Sequence, residues 1–218
     1  MKWDMNNSRE PLLDLIERYP ACAGLQRELE TALGLLWQCV QSDGTLWLCG
    51  NGGSAADCEH WAGELLKSFS HPRSLAEAEQ ARLPDPLAKT LQPGMRAIPL
   101  TGFTALRSAF ANDVDDEYVF AQLVWVLARP GDVLITISTS GNAANVCHAA
   151  HAARARGVSV LGLSGRSGGH LKDLCDCCIR VPEDVTYRIQ ELHLPIYHAL
   201  SLALEAALEA NSKPEAPR

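Results

Sequence analysis

Lysine is missing from the two stretches of this sequence where a nucleotide site would need it. Residues 49–65 (CGNGGSAADCEHWAGEL) and 132–146 (DVLITISTSGNAANV) each run from a β-type apolar segment through small residues into a helical pattern, and neither contains a lysine. Neither shows the G-x-G-x-x-G spacing of a dinucleotide site or the G-K-[ST] ending of a Walker A loop. A nucleoside triphosphate is a poor fit, and a singly phosphorylated small molecule a better one. Other absences narrow the field further. The first residues, MKWDMNNSREPL, are polar and contain no apolar h-region, so no secretory signal is read there. No apolar run approaches the ~20 residues of a membrane span. Basic residues are scattered in a chain of formal net charge −7, which disfavours an electrostatic nucleic-acid surface. The expected setting is cytoplasmic, with neither membrane nor nucleic acid as partner.

The 218 residues are 47% hydrophobic and 21% charged, enough apolar matter for a buried core. Of the eight cysteines, Cys22, Cys39, Cys49 and Cys147 sit singly in apolar patterns, where free cysteine behaves as a small hydrophobe. Cys175, Cys177 and Cys178 cluster in CDCC. Zinc knuckles want a second ligand pair nearby, and adjacent Cys177 and Cys178 would point to opposite faces of a strand. No structural metal is expected there.

Periodicity predicts helices over 9–18 and 22–41, the second with Leu25, Leu29, Leu33, Leu36 and Cys39 along one face. A short strand is expected over 45–49, then a helix over 54–69 with Ser54 as its N-cap. Residues 70–95 are Pro-punctuated and read as an insertion. Further strands are expected over 97–100, 133–137, 158–163 and 178–181. They alternate with helices over 104–111, 116–127, 143–156, 169–174 and 186–209. Such alternation means an α/β fold with a parallel sheet covered on both faces. The chain divides into N-terminal helices over 1–42, which pack on the domain and an oligomer interface, the main domain over 43–210, and a disordered tail over 211–218.

Ligands of such sheets bind beyond the carboxyl ends of the strands, where both small-residue loops fall. Ser138, Thr139, Ser140, Gly141 and Asn142 supply hydroxyls and backbone donors just before a helix, an arrangement that suits phosphate. A serine-rich turn with an ordinary helix cap would look the same in isolation.

Three segments taken in order, GNGGSAAD, ISTSGNAANV and RIQELHLPIYH, resemble the sugar isomerase (SIS) domain, and within it the bacterial phosphoheptose isomerases. Those enzymes interconvert sedoheptulose 7-phosphate and glycero-manno-heptose 7-phosphate. The similarity extends from about residue 22 to residue 209. It implies a flavodoxin-like three-layer sandwich with a five-stranded parallel sheet, and a homotetramer whose active sites draw on neighbouring subunits. By the same resemblance Ser138, Thr139 and Ser140 hold the sugar phosphate, while Asn51, Gly52, Gly53 and Ser54 line the sugar chain. Asn112 and Asp113 match a substrate-binding Asn-Asp pair, although an aspartate in a turn explains Asp113 as well. Ala143 departs from the family, which commonly has a serine there, and Tyr187 replaces an aspartate that touches substrate in some members.

Aldose–ketose isomerisation through an enediol needs a base beside the carbonyl and an acid to move protons between oxygens. His60 and Glu64 stand i, i+4 on one helix face; Gln190, His193 and His198 are expected near one face of the last helix. Spacing alone is met equally by a surface pair and by core histidines. The resemblance implies Glu64 as the base and His198 as the acid. It also implies His60, Glu64, Gln190 and His198 as a group able to bind Zn²⁺, for which glutamine is a weak ligand. Two other functions share the motifs: an isomerase of a different phosphosugar, and a non-catalytic tetramer that binds a replication initiator protein. Glu64 and His198 together favour an enzyme, because a scaffold has no use for an acid and a base at a phosphate site.

Overall fold

The computed structural model describes residues 5–212. Helix α1 (Met5–Arg18) leads through a 3₁₀ turn (Pro20–Leu25) into α2 (Gln26–Gln41), strand β1 (Leu46–Gly50) and α3 (Gly53–Leu65). The 70–95 stretch carries only two short helices, α4 (Glu77–Gln80) and α5 (Asp85–Thr90). Then come β2 (Ala97–Pro99), α6 (Thr104–Asp113), α7 (Val119–Leu127), β3 (Val133–Ile137) and α8 (Ala144–Ala155). β4 (Ser159–Ser164), β5 (Cys177–Arg180) and the 27-residue α9 (Thr186–Ser212) complete the described chain.

The five strands are all parallel, in the order β2-β1-β3-β4-β5. This is the flavodoxin-type order, with its switch point between β1 and β3. Every residue of β1 and of β3 is buried, as a sheet covered on both faces requires. Strand alternation divides the apolar side chains into two cores. Leu46, Leu48, Val133, Ile135, Leu161 and Leu163 pack under α1, α2, α3 and α9. Trp47, Cys49, Leu134 and Val160 pack under α7 and α8. Buried Asp132 ties β1 to β3 at the amino end of the sheet: its carboxylate accepts from Thr45 N at 2.8 Å, Trp47 Nε1 at 2.9 Å and Arg129 N at 2.9 Å.

Several expected boundaries move, each for a local reason. Ser54 does not cap α3; Gly52 occupies that position at φ 55°, and Ser54 is buried in the first turn. The helix ends at Leu65 rather than residue 69, because the next backbone groups bond elsewhere: Leu65 O accepts from Met95 N at 2.7 Å, and Phe69 N and Ser70 N donate to Glu205. Residues 22–25 belong to the 3₁₀ turn, so the second helix begins at Gln26. Residues 116–118 likewise form a 3₁₀ turn, with the Asp115 carboxylate accepting from Glu117 N. Over 169–174 a single 3₁₀ turn (Leu171–Asp173) replaces the expected helix, since Gly168 and Gly169 both sit at positive φ. Residues 211 and 212 belong to α9, and the remainder of the expected tail lies outside the described residues.

Candidate active site

Because Gly50 pairs with Ile137, the loops after β1 and β3 lie side by side at the carboxyl edge of the sheet. They are joined there by Asn51 and Asn145, whose amides exchange hydrogen bonds of 2.8 and 3.0 Å. In the 138–142 loop, Ser138 is buried and Gly141 N donates to its carbonyl at 3.0 Å, closing a tight turn. Gly141 has φ 66° and is pressed against the backbone of Gly168, a place where no side chain fits. Leu171 N donates to Gly141 O at 2.9 Å, and His170 N to Asn142 Oδ1 at 3.0 Å. The loop is therefore held from behind, while the opening turn of α8 receives no side-chain cap from Ala143. Val146 N is taken by Ala143 O at 3.1 Å, and the amides of Ala144 and Asn145 beside Ser138, Thr139 and Ser140 are donors of the kind that can receive an anion without a charged side chain.

A second cluster lies where α3 packs on α9. The two helices run parallel: the Gln190 amide is wedged against Gly53, Tyr197 meets His60, and Ser201 accepts from Trp61 Nε1 at 3.1 Å. His60 Nε2 lies 3.1 Å from Glu64 Oε1, and Lys67 Nζ lies 3.3 Å from Glu64 Oε2. His198 brings its ring edge-on to His60, centroids 5.2 Å apart. One potential ligand atom from each of His60, Glu64 and His198 falls within 4.8 Å of the other two. Burial pushes the His198 imidazole below its ordinary pKa; the neighbouring His60 acts in the same direction and Glu64 opposes it.

Two imidazoles and a carboxylate are a donor set that Zn²⁺ accepts. His198 Nε2 is buried with no hydrogen-bond partner, an orphan that such an ion would satisfy. These three residues fit a metal. Gln190 stands apart from them: eight residues separate it from His198, about 12 Å of helix rise. Within one protomer it lines the 51–54 loop instead.

His193 is a correction. Five residues from His198 amount to about 140° around the helix, and His193 is fully buried rather than facing the cluster. Asn112 and Asp113, at the exposed end of α6, bond to each other at 2.8 Å. Three participants had not been singled out. Tyr197 Oη lies 2.9 Å from His60 Nδ1 and donates to Asp57 Oδ1 at 3.4 Å, leaving Nε2 as the His60 nitrogen turned to Glu64. Asp57, raised in pKa by burial with Tyr197 and His60 opposing, stands i, i+3 before His60, and that spacing could have flagged it. Nothing in the local pattern marks Tyr197 or Asn145.

A family model described as the SIS domain matches residues 20–165. A phosphoheptose isomerase of Thiobacillus denitrificans is 41% identical over 191 residues, 86% of this chain and 87% of its own. One from Akkermansia muciniphila is 33% identical over 197 residues, covering 90% and 94%. The solved structure of phosphoheptose isomerase GmhA from Neisseria gonorrhoeae aligns with a TM-score of 0.71 at 34% identity, over 88% of this chain and 94% of that one.

Proposed function

The chain belongs to the SIS domain family, among its phosphoheptose isomerases, and from that membership we infer its reaction: the interconversion of sedoheptulose 7-phosphate and D-glycero-D-manno-heptose 7-phosphate. It is a phosphosugar aldose–ketose isomerase. In the ketose-to-aldose direction, Glu64 takes a proton from C1, next to the C2 carbonyl, and the C1–C2 enediol forms. The proton returns to C2 while His198 carries one between O1 and O2, so that the carbonyl reappears at C1. Support for these roles comes from the convergence of His60, Glu64 and His198 within 4.8 Å.

The phosphate is assigned to Ser138, Thr139, Ser140 and the α8 amides, and the sugar hydroxyls to Asn51, Gly52, Gly53, Ser54 and Gln190. Asn112 and Asp113 remain substrate-hydroxyl candidates. A zinc ion held by His60, Glu64 and His198 would supply polarisation of the carbonyl and of the enediolate. A homotetramer is part of this reading, with Gln190 joining His198 at one ion from a neighbouring protomer. All eight cysteines are free, which accords with a reducing, cytoplasmic setting.

The test is to incubate the protein with sedoheptulose 7-phosphate and follow the aldose by NMR. Conversion should appear in the wild type and drop about 10²- to 10⁴-fold in Glu64→Gln and in His198→Asn. A near-normal rate in either variant removes that residue from the mechanism. Absence of conversion with zinc supplied would move the assignment to another phosphosugar.

A further inference from the structure

Cys175 and Cys178 stand at C-x-x-C spacing within Cys175-Asp176-Cys177-Cys178. The fold turns both sulfurs to one spot. Gly162 of β4 is the register partner of Cys178. A Cβ at Gly162 would lie 2.6 Å from Cys175 Sγ and 3.1 Å from Cys178 Sγ, with Thr136 Oγ1 at 3.6 Å. The missing side chain thus opens a niche that two thiols share. Cys177 is excluded by strand alternation: its thiol faces the other core and donates to Glu28 O at 3.3 Å.

The niche is neither sealed nor neutral. Cys175 and Cys178 are half-buried and line an open groove of about 430 Å³ together with Arg27, Lys172 and Arg180, with Glu28, Asp176 and an edge of Cys177 also on its wall. The adjoining Cys175 thiol, with Arg180 and Lys172 nearby, draws the Cys178 thiol below its ordinary value against the effect of burial. Cys175 is held up by its Cys178 neighbour and by burial. One easily ionised thiol beside one that keeps its proton is the division of labour of a dithiol redox pair.

We propose that Cys175 and Cys178 form a reversible redox site that closes to a disulfide with hydrogen peroxide. The Cys178 thiolate attacks one peroxide oxygen; the O–O bond breaks, hydroxide leaves and Cys178 becomes a sulfenic acid. The Cys175 sulfur then attacks Cys178 Sγ: the S–S bond forms, the S–O bond breaks, and the departing hydroxide takes the Cys175 proton as water. In total, two thiols and one peroxide give one disulfide and two waters. Closure has a route to the sugar-phosphate site. The Cys175 thiol donates to Leu171 O at 3.2 Å, and Leu171 N donates to Gly141 O in the 138–142 loop. Oxidation removes that thiol hydrogen and with it one anchor of the turn behind the loop. This link depends on the phosphate-loop reading; the disulfide does not.

The intact protein is treated with hydrogen peroxide, alkylated, digested and mapped by mass spectrometry. The expected product is a peptide carrying Cys175 and Cys178 that is lighter by two hydrogens and protected from alkylation, with both thiols restored by dithiothreitol. Cys175→Ser and Cys178→Ser should each abolish it, and Cys177→Ala should leave it intact. Full alkylation of both cysteines after peroxide, or a bridge that uses Cys177, overturns the proposal. Calorimetry with inorganic phosphate reads the link: oxidation should raise the dissociation constant about five-fold, the worth of roughly one hydrogen bond. An unchanged constant beside a mapped disulfide overturns the link alone.

Discussion

His193 places both ring nitrogens in the core, where neither finds a hydrogen-bond partner. Burial pushes its pKa down to about 4; the Ser164 backbone pulls the other way without reaching hydrogen-bond geometry. An unfolded histidine titrates near 6.5, so between those values the unfolded chain holds the extra proton. The folded state is therefore undisturbed above about pH 6.5 and loses about 1.4 kcal/mol per pH unit as the pH falls toward 4. Urea midpoints at pH 7 and pH 5 should show this decline, and His193→Leu should flatten it; a wild-type profile equally flat would contradict it. Legibility at this scale was uneven. His60, Glu64 and His198 could be picked from spacing and motif because each lies on a regular helix. His193 shares a helix with His198, yet five residues of rotation carry it to the opposite side. Tyr197 earns no attention from its neighbours in sequence, since its role depends on α3 lying alongside α9.

Among the elements, α9 does the most joining. Its Glu205 accepts from Phe69 N and Ser70 N at 2.9 Å each and from Ser70 Oγ at 3.0 Å, with Arg73 Nε at 3.4 Å. Burial would raise this carboxyl's pKa, but the Ser70 and Phe69 amides, the Ser70 hydroxyl and Arg73 together hold it below the ordinary range. The carboxylate fastens the start of the 70–95 stretch, and Phe69 packs 5.4 Å from His198 by ring centroids. Glu205→Ala should release this segment. Hydrogen exchange in peptides spanning 66–76 is expected to accelerate while that of β1 and β3 is unchanged; unaltered exchange over 66–76 would mean the anchor lies elsewhere. The same contact explains why α3 ends short of the length its sequence pattern predicts. The backbone from Phe69 onward is claimed by a residue more than a hundred positions away, which no window of local pattern contains. Strands were easier, since a short apolar run between breakers has few other ways to be buried.

For the molecule as a whole, the parallel sheet and its crevice followed from alternation of strands and helices, whereas assembly leaves little trace in a single sequence. Leu66, Trp125, Val126 and Leu194 are exposed apolar side chains on three different helices or their ends. With Gln190 about two helical turns from His198, they accord with a tetramer. Light scattering should return four chains per particle, and a monomer would contradict sites shared between protomers. Within one protomer the two halves of the sheet already communicate through Asn51 and Asn145, ninety-four positions apart. Each amide spends one N–H and one carbonyl lone pair on the other and keeps a second of each for whatever enters the crevice. A ligand that parts them must return as many hydrogen bonds as it breaks. A hydroxylated chain can do so at every carbon, and a hydrocarbon of the same shape cannot. The pair thus acts as a toll on apolar visitors, enforcing polarity at the entrance without any moving lid.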